Sequence, residues 1–239
     1  MVNKIFAVKR IWLSLVVFLI AILIIFAYIS STTVYNVSLN YSKKLKTIII
    51  DAGHGGFDGG ASVKDILEKD INLKIALNLR DCLSALGYDI ILTRDTDSAT
   101  NTEGNSIRTK KISDMKNRLK IMKNYPEAIF ISIHLNKFES ASIKGAQVFY
   151  SINDENSKTL AKSIQKNIKD LLQNDNHREV KKGNKNTYLL YNSPIPAVIV
   201  ECGFLSNPNE LSLLKSEKYQ KEMAYAIFSG VISIEDKGW

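Results

Sequence analysis

The sequence predicts an α/β domain with a mostly parallel β-sheet that is covered by helices on both faces. Short apolar runs rich in β-branched residues alternate with stretches in which apolar residues recur every three or four positions. The runs are typical of strands buried on both faces, and the stretches are typical of amphipathic helices. Their alternation implies helical crossovers between parallel strands. A composition of 45% hydrophobic and 23% charged residues is ordinary for a globular protein and excludes disordered and collagen-like chains.

The first element is the apolar run Ile11–Ile29, which predicts a membrane-spanning helix ahead of the domain. At about 1.5 Å rise per residue, this run nearly spans a hydrocarbon core of roughly 30 Å. Lys9 and Arg10 precede it, so the positive-inside rule places the N-terminus in the cytoplasm and the domain outside. We expect a transmembrane anchor or uncleaved signal at residues 1–30 and a linker at residues 31–44. The alternative is a cleaved signal peptide, which would carry the same domain across the membrane.

One domain is expected at residues 45–239, because this part of the chain shows one continuous alternation of strand and helix patterns. The predicted strands are Thr47–Asp51, Tyr88–Thr93, Ala128–Ile133, Gly145–Tyr150 and Pro196–Glu201. The predicted helices carry apolar stripes over residues 71–86, 112–122, 160–172 and 211–231. Gly87 directly follows the first stripe, at a position where glycine commonly ends a helix.

The net charge is +8, with 32 basic and 24 acidic residues. A modest positive charge suits an anionic wall polymer or a membrane surface. Nucleic acid is not expected as a partner, because the sequence contains no helix-turn-helix, RNP or zinc-knuckle pattern. Two cysteines are too few for a disulfide scaffold, and we expect Cys82 to be a core residue of the first helix. Cys202 adjoins Glu201, but strand alternation points the two side chains in opposite directions.

Three predicted strands each end at a side chain that can bind a metal or move a proton. The first strand leads into His54, the third into His134, and the last ends at Glu201. The carboxyl ends of parallel strands lie at the same edge of a sheet, where ligands of open α/β folds bind. We therefore expect these side chains to meet. Two histidines and a carboxylate are typical of a catalytic zinc site, which has three protein ligands and one open position.

A second carboxylate is needed if one acts as a ligand and another as a base. Glu68 is the best candidate, because it closes the glycine-rich loop after His54 and directly precedes the first helix. Asp51 and Asp58 are alternative ligands, and Asp51 could instead orient His54 by a hydrogen bond. Each residue also has a purely structural interpretation, such as a histidine that bonds a loop or a glutamate that interacts with a helix dipole.

Four segments resemble the zinc-dependent N-acetylmuramoyl-L-alanine amidases, the Amidase_3 family, and they occur in the family's order. The segments are DAGHGGFDGGA at Asp51–Ala61 with EKDINL at Glu68–Leu73, SIHLN at Ser132–Asn136, GAQVFY at Gly145–Tyr150, and VECGFLSNP at Val200–Pro208. Arg118 occupies a position where the family often has an arginine. The resemblance covers most of the predicted domain.

This resemblance implies a twisted six-stranded sheet and one zinc ion bound by His54, Glu68 and His134. It also implies that Glu201 is the catalytic carboxylate. The reaction would be hydrolysis of the amide between the lactyl group of N-acetylmuramic acid and the L-alanine of the peptidoglycan stem peptide. Glu201 would take a proton from water and return it to the departing amine.

An anchor joined to a bare catalytic domain is similar to the CwlD-type amidases of endospore formers. The similarity implies a role in spore-cortex maturation, in which muramic-δ-lactam forms, and a location between the mother-cell and forespore membranes. A lytic enzyme without a self-blocking insertion also suggests control by a partner protein. The alternatives are another zinc peptidoglycan hydrolase, such as a carboxypeptidase or deacetylase, and a non-catalytic wall-binding module.

Overall fold

The computed structural model describes Trp12, residues 15–30 and residues 47–235. The chain divides into two units, residues 1–45 and residues 46–239. In the first unit, residues 15–30 are helical and their side chains are mostly exposed. Among the described residues, no helix combines the length and apolar character needed to cross a membrane. The predicted linker and residues 1–11 and 13–14 of the predicted anchor lie outside the described residues.

The second unit has the alternation of strands and helices that the sequence predicts. Its strands are β1 (Thr47–Ala52), β2 (Ser62–Val63), β3 (Ile66–Leu67), β4 (Asp89–Leu92), β5 (Ile129–Asn136), β6 (Gln147–Tyr150), β7 (Lys181–Lys182) and β8 (Ala197–Phe204). Its helices are α1 (Glu68–Ala85), α2 (Ile107–Asn124), α3 (Glu155–Leu171), α4 (Tyr188–Asn192), α5 (Pro208–Leu214) and α6 (Glu217–Glu235).

Six strands form one sheet in the order β4-β1-β5-β8-β6-β7, while β2 and β3 form a separate hairpin. The four strands β4, β1, β5 and β8 are parallel, as predicted. The sheet as a whole is mixed, because β6 is antiparallel to β8 and β7 is parallel to β6. The connection from β5 to β6 contains no helix. A crossover to a parallel position usually needs a dozen or more residues, so this shorter connection reverses the chain direction.

Helices cover both faces of the sheet. Helices α1 and α3 pack on one face, with α6 against both of them. Helices α2 and α4 lie on the opposite face, where their apolar residues join those of the strands in a buried cluster. The cluster contains Ile49, Leu119, Met122, Ala128, Phe130, Leu189, Leu190, Ile195 and Ala197. The side chains of the predicted site at the strand ends lie on this same face of the sheet.

The structure differs from the sequence prediction at the C-terminal helix. The single predicted stripe over residues 211–231 belongs to two helices, α5 and α6. Asn207 starts α5 by accepting hydrogen bonds from two backbone amides, with Pro208 in the first turn. The carbonyl of Leu214, near the end of α5, accepts a hydrogen bond from Gln220 Nε2. Because Leu214 on α5 and Met223 on α6 are both fully buried, the periodic pattern continues across the break.

Candidate functional site

The register of β1, β5 and β8 places a row of polar side chains at the end of the buried cluster. Side chains alternate between the faces of a sheet, so every second residue points the same way. On the α2 face the successive side chains are Ile49 and Asp51 on β1, Phe130, Ser132 and His134 on β5, and Ala197, Ile199 and Glu201 on β8. The register pairs His134 directly with Glu201. Two of the three predicted strand-end residues are therefore neighbours.

The loop after β1 brings the third, His54, over the same edge. The backbone N–H of Gly53 donates to the Ile133 carbonyl at 3.0 Å, which continues the pairing of β1 with β5. His54 then adopts a φ of 63°, in the left-handed region that non-glycine residues rarely occupy. A Cβ at Gly53 would lie 2.3 Å from Nε2 of His134. Only glycine lets the His134 ring lie this close to the loop.

Buried side chains hold this loop by its carbonyl oxygens. These hydrogen bonds run from Arg118 to Ala52 and His54, from Arg94 to Ala52 and Gly53, and from Asn72 to Gly53, at 2.8–3.1 Å. Arg94 and Arg118 are 4% and 0% exposed. Each hydrogen bond fixes a peptide plane next to His54, so the backbone sets the direction of the His54 Cα–Cβ bond.

His54, Glu68 and His134 form a compact group in which one ligand atom of each residue lies within 4.8 Å of the others. Oε1 of Glu68 is 3.0 Å from Nδ1 of His134, and Oε2 of Glu68 is 3.3 Å from Nε2 of His54. The two imidazole rings meet edge-on, with 4.9 Å between their centroids. Imidazole and carboxylate are the donors that zinc prefers in three-ligand sites.

Glu68 is the first residue of α1 and is almost fully buried. Its Oε1 accepts from the backbone N–H of Leu135 at 3.0 Å, and its Oε2 accepts from that of Ala61 at 2.7 Å. Burial opposes the charge on Glu68, but hydrogen bonds with His134 and His54 hold its pKa far below the ordinary value. The carboxylate is therefore ionised and fixed in place.

Asp58 orients the His54 ring from the side opposite Glu68. Its Oδ2 lies 2.8 Å from Nδ1 of His54, and its Oδ1 lies 2.8 Å from Nζ of Lys111. Burial alone would lower the pKa of His54, but the bonds to Asp58 and Glu68 raise it to about 9. The surroundings of the His54 ring thus favour a positive charge. A carboxylate on one ring nitrogen is also the usual support for a histidine whose other nitrogen binds a metal.

Glu201 has a different environment from Glu68. Its Oε2 is buried and has no hydrogen-bond partner among the described residues. Burial raises the pKa of Glu201, and the negative charge of Glu68 adds to this effect, although the nearby His134 acts against it. A carboxyl group whose pKa is moved toward neutrality is suited to accepting and returning a proton.

A buried ion network lies beneath the group. Arg118 bonds Asp51 through Nη1, and its Nε donates to Oδ2 of Asp114 at 2.7 Å. Thr93 and Ser132 also donate to Asp51. Burial disfavours the Asp51 charge, yet Arg118 and these hydroxyls keep its pKa below the ordinary value. The network connects β1, the residue after β4, β5 and α2 next to the loop that carries His54.

A cleft of about 380 Å³ opens from this group between α2 and the start of α4. His54, His134 and Glu201 line its inner end. Lys111 lines the α2 side, and Tyr188 lines the α4 side. The cleft gives a substrate access to all three inner side chains.

The four residues singled out in the sequence, His54, Glu68, His134 and Glu201, lie together at one edge of the sheet. The alternatives have other contacts: Asp51 bonds Arg118, and Asp58 holds the outer nitrogen of His54. His177 is exposed on the surface, and Cys82 and Cys202 are both free. Cys202 is buried, whereas Cys82 is only partly buried and is not the core residue that the sequence predicts.

The sequence did not identify Arg94, Asn72 and Asp114 as site residues. Arg94 and Asn72 hydrogen-bond carbonyls of the loop that carries His54, and Asp114 accepts from Arg118. Arg94 follows β4, and Asn72 and Asp114 lie on helices among many other polar residues. The one available signal for Arg94 was its position directly after a predicted strand that ends at the same edge. For Asn72 and Asp114 the sequence contained no such signal.

Comparisons with known proteins agree with this geometry. Residues 48–233 match the family described as N-acetylmuramoyl-L-alanine amidase. The germination-specific N-acetylmuramoyl-L-alanine amidase of Bacillus subtilis (strain 168) is 35% identical over 92% of this chain and 93% of its own. The structure of the CwlD amidase from Clostridioides difficile in complex with the GerS lipoprotein is similar, with 45% identity and a TM-score of 0.77. That match covers 80% of this chain and 98% of that one. An N-acetylmuramoyl-L-alanine amidase from Clostridium difficile 630 matches at 32% identity and a TM-score of 0.69, over 81% of this chain and 98% of its own.

Replacing Gly53 by alanine is expected to displace the His134 ring, because the new Cβ would lie 2.3 Å from Nε2. Calorimetric titration with Zn²⁺ should show an affinity lower by about tenfold or more. Gly59→Ala is the matched control in the same loop, since its Cβ would make an ordinary 3.6 Å contact with Leu67. Equal zinc affinity in the two variants would contradict the close approach of His134 to the loop.

Arg118→Met is expected to destabilise the fold strongly, because it leaves Asp51 and Asp114 buried without their cation. Removing one partner of a buried ion pair costs about 3–5 kcal/mol. Arg80→Met is the control, because Arg80 pairs with Asp81 on the surface, where a pair contributes about 0–1 kcal/mol. Urea titration at neutral pH measures both losses of unfolding free energy. Similar small losses in the two variants would show that the network does not support the fold.

Proposed function

The chain belongs to the family of N-acetylmuramoyl-L-alanine amidases, and from that membership we propose how this chain performs its reaction. The enzyme hydrolyses the amide between the lactyl group of N-acetylmuramic acid and L-alanine of the stem peptide in peptidoglycan. His54, Glu68 and His134 hold one zinc ion, and Glu201 is the catalytic carboxylate. The observation that carries the proposal is the convergence of three ligand atoms within 4.8 Å of one another, with Glu201 paired to His134 across the sheet.

The donor set fits zinc. Two imidazoles and one carboxylate leave a fourth position open in tetrahedral coordination. The carboxylates that raise the pKa of His54 would equally favour a divalent cation between the same groups. The chemistry that zinc supplies when bound is polarisation of an amide carbonyl and activation of water as a nucleophile near neutral pH.

Glu201 moves the proton of the reaction. Its unpartnered Oε2 accepts a proton from the water that attacks the amide carbon. It then donates this proton to the amide nitrogen as the carbon–nitrogen bond breaks. The products are the free lactyl carboxylic acid and a stem peptide with an L-alanine amino terminus. The raised pKa of Glu201 suits both halves of this transfer.

The cleft walls bind the substrate around the scissile amide. Tyr188 is an exposed aromatic side chain on the α4 wall of the cleft, and Lys111 offers a half-exposed ammonium group on the opposite wall. An aromatic ring can pack against a sugar ring, while the ammonium group can attract a peptide carboxylate. These features suit a substrate with both a glycan and an acidic peptide.

The enzyme acts outside the cytoplasm, in maturation of the spore cortex, where removal of the stem peptide precedes formation of muramic-δ-lactam. The germination-specific name of the Bacillus subtilis relative supports this role. We place the catalytic domain at residues 45–239. The N-terminal apolar run Ile11–Ile29 carries it across the membrane, to the space between the mother-cell and forespore membranes.

A partner protein controls the enzyme. The complex between the Clostridioides difficile relative and the GerS lipoprotein supports this part of the proposal. The purified chain alone should therefore release stem peptide more slowly than the same chain with its partner. Full activity of the zinc-loaded chain without any second protein would count against a controlling partner and would leave the chemistry of the site unaffected.

Glu201→Gln is expected to retain zinc and lose most turnover, by a factor of roughly 10²–10⁴, because the amide cannot accept the proton. His134→Ala should instead lose zinc. Metal content by mass spectrometry and release of stem peptides from peptidoglycan, measured under the same conditions, separate the two roles. Glu179→Gln, at an exposed glutamate paired with Lys169, should retain both properties. Turnover at the wild-type rate in Glu201→Gln would show that another group moves the proton.

A further inference from the structure

Arg94 is a buried arginine that bonds only backbone carbonyls within the described part of the chain. It is the second residue after β4 and is 4% exposed. Its side chain donates to Ala52, Gly53, Lys69 and Thr96 at 2.8–3.1 Å. No carboxylate among the described residues accepts from it. A guanidinium group without a direct ion pair is costly to bury, so a core that served only stability would be better filled by an apolar side chain.

One nitrogen of this guanidinium group joins the two segments that carry the ligands. Nη2 donates to the Gly53 carbonyl at 3.1 Å and to the Lys69 carbonyl at 2.8 Å. Gly53 directly precedes His54, and Lys69 directly follows Glu68. The loop after β1 and α1 are also joined directly, by Asn72 Nδ2 to the Gly53 carbonyl at 3.1 Å, and Arg94 adds a bridge from outside both elements. The bridge fixes the distance between their peptide planes, and therefore the distance between the two side chains.

The segment after β4 makes a second connection between the same elements. Oδ1 of Asp97 accepts from the backbone N–H of Gly56 at 2.8 Å, and its Oδ2 accepts from Nζ of Lys69 at 2.6 Å. Nζ of Lys69 also donates to the Gly56 carbonyl at 2.9 Å. The segment after β4 thus hydrogen-bonds both the glycine-rich loop and α1.

The space around Arg94 leaves little freedom for either segment. A Cβ at Gly55 would lie 2.8 Å from both Cδ and Nε of Arg94. The planar guanidinium group offers several donors in a rigid arrangement, whereas a lysine offers a single flexible point charge. A lysine at this position could reach one of the two carbonyls but could not hold both at a fixed separation.

We propose that Arg94 is a positioning residue that sets the separation of His54 and Glu68 for metal binding. It acts through backbone carbonyls and touches neither the metal nor the substrate. This inference rests on the proposed function, because it takes His54 and Glu68 to be zinc ligands. Its consequence is a specific loss of metal affinity when the bridge is broken, beyond any general loss of stability.

The test compares Arg94→Lys with wild type and with Ser157→Ala in the purified full chain. Ser157 is fully buried, and its Oγ accepts from the backbone N–H of Ala197 far along the chain from the metal loop. Its loss should lower the melting temperature of the zinc-free protein without changing zinc affinity. Zinc dissociation constants are measured by competition with a chromophoric chelator, and the melting temperature of the zinc-free form is measured for each variant.

Arg94→Lys is expected to weaken zinc binding by about 10- to 100-fold, while Ser157→Ala binds zinc as wild type does. The Co²⁺-substituted Arg94→Lys protein should also show a shifted visible absorption spectrum, since the spacing of the ligands has changed. Asp97→Asn, at a half-exposed residue that carries little risk of misfolding, should weaken zinc binding in the same direction.

Unchanged zinc affinity and an unchanged Co²⁺ spectrum in Arg94→Lys, with only a lower melting temperature, would overturn the proposal and make Arg94 a purely structural residue. That result would leave the proposed function intact. A wild-type chain that binds no zinc would contradict the proposed function itself, and the positioning role with it.

Discussion

The site depends on hydrogen bonds from two buried arginines to the carbonyl oxygens of the loop after β1. Arg118 and Arg94 hold Ala52, Gly53 and His54, so that His54 keeps a left-handed backbone conformation that few side chains adopt. Carbonyl acceptors fix peptide planes and leave the side chain free to bind. The loop can therefore be rigid while its imidazole faces the cleft.

The carboxyl groups around the loop differ in their hydrogen-bond partners and in their pKa values. Asp51 is fully paired by Arg118 and by hydroxyl groups, so it stays ionised and serves the structure. Glu68, the proposed ligand, is fixed by backbone amides and both histidines. Glu201 has an oxygen with no partner among the described residues and a raised pKa. In the proposed function, similar carboxyl groups within one edge of the sheet thus hold a loop, bind a cation and move a proton.

The sequence predicted the parts of the site that follow from strand ends. His54, His134 and Glu201 each come at the end of an apolar run, and parallel neighbours must bring such ends together. The antiparallel direction of β6 was not predicted, because an apolar run looks the same in a parallel and in an antiparallel strand. Arg94 was missed because its partners are backbone carbonyls. Every residue has one, so the sequence does not show which carbonyls accept a hydrogen bond. The burial of Arg94 arises only when β4 packs beside β1.

The most direct test of this account is the chemistry of the new ends that the zinc-loaded enzyme makes in peptidoglycan. Mass spectrometry of the soluble products, combined with labelling of free amino groups, identifies the bond that is cut. The account predicts intact stem peptides whose amino terminus is L-alanine, and their absence after incubation with a chelator. Release of acetate or of a C-terminal amino acid would contradict it, because the same metal group would then be cutting a different bond.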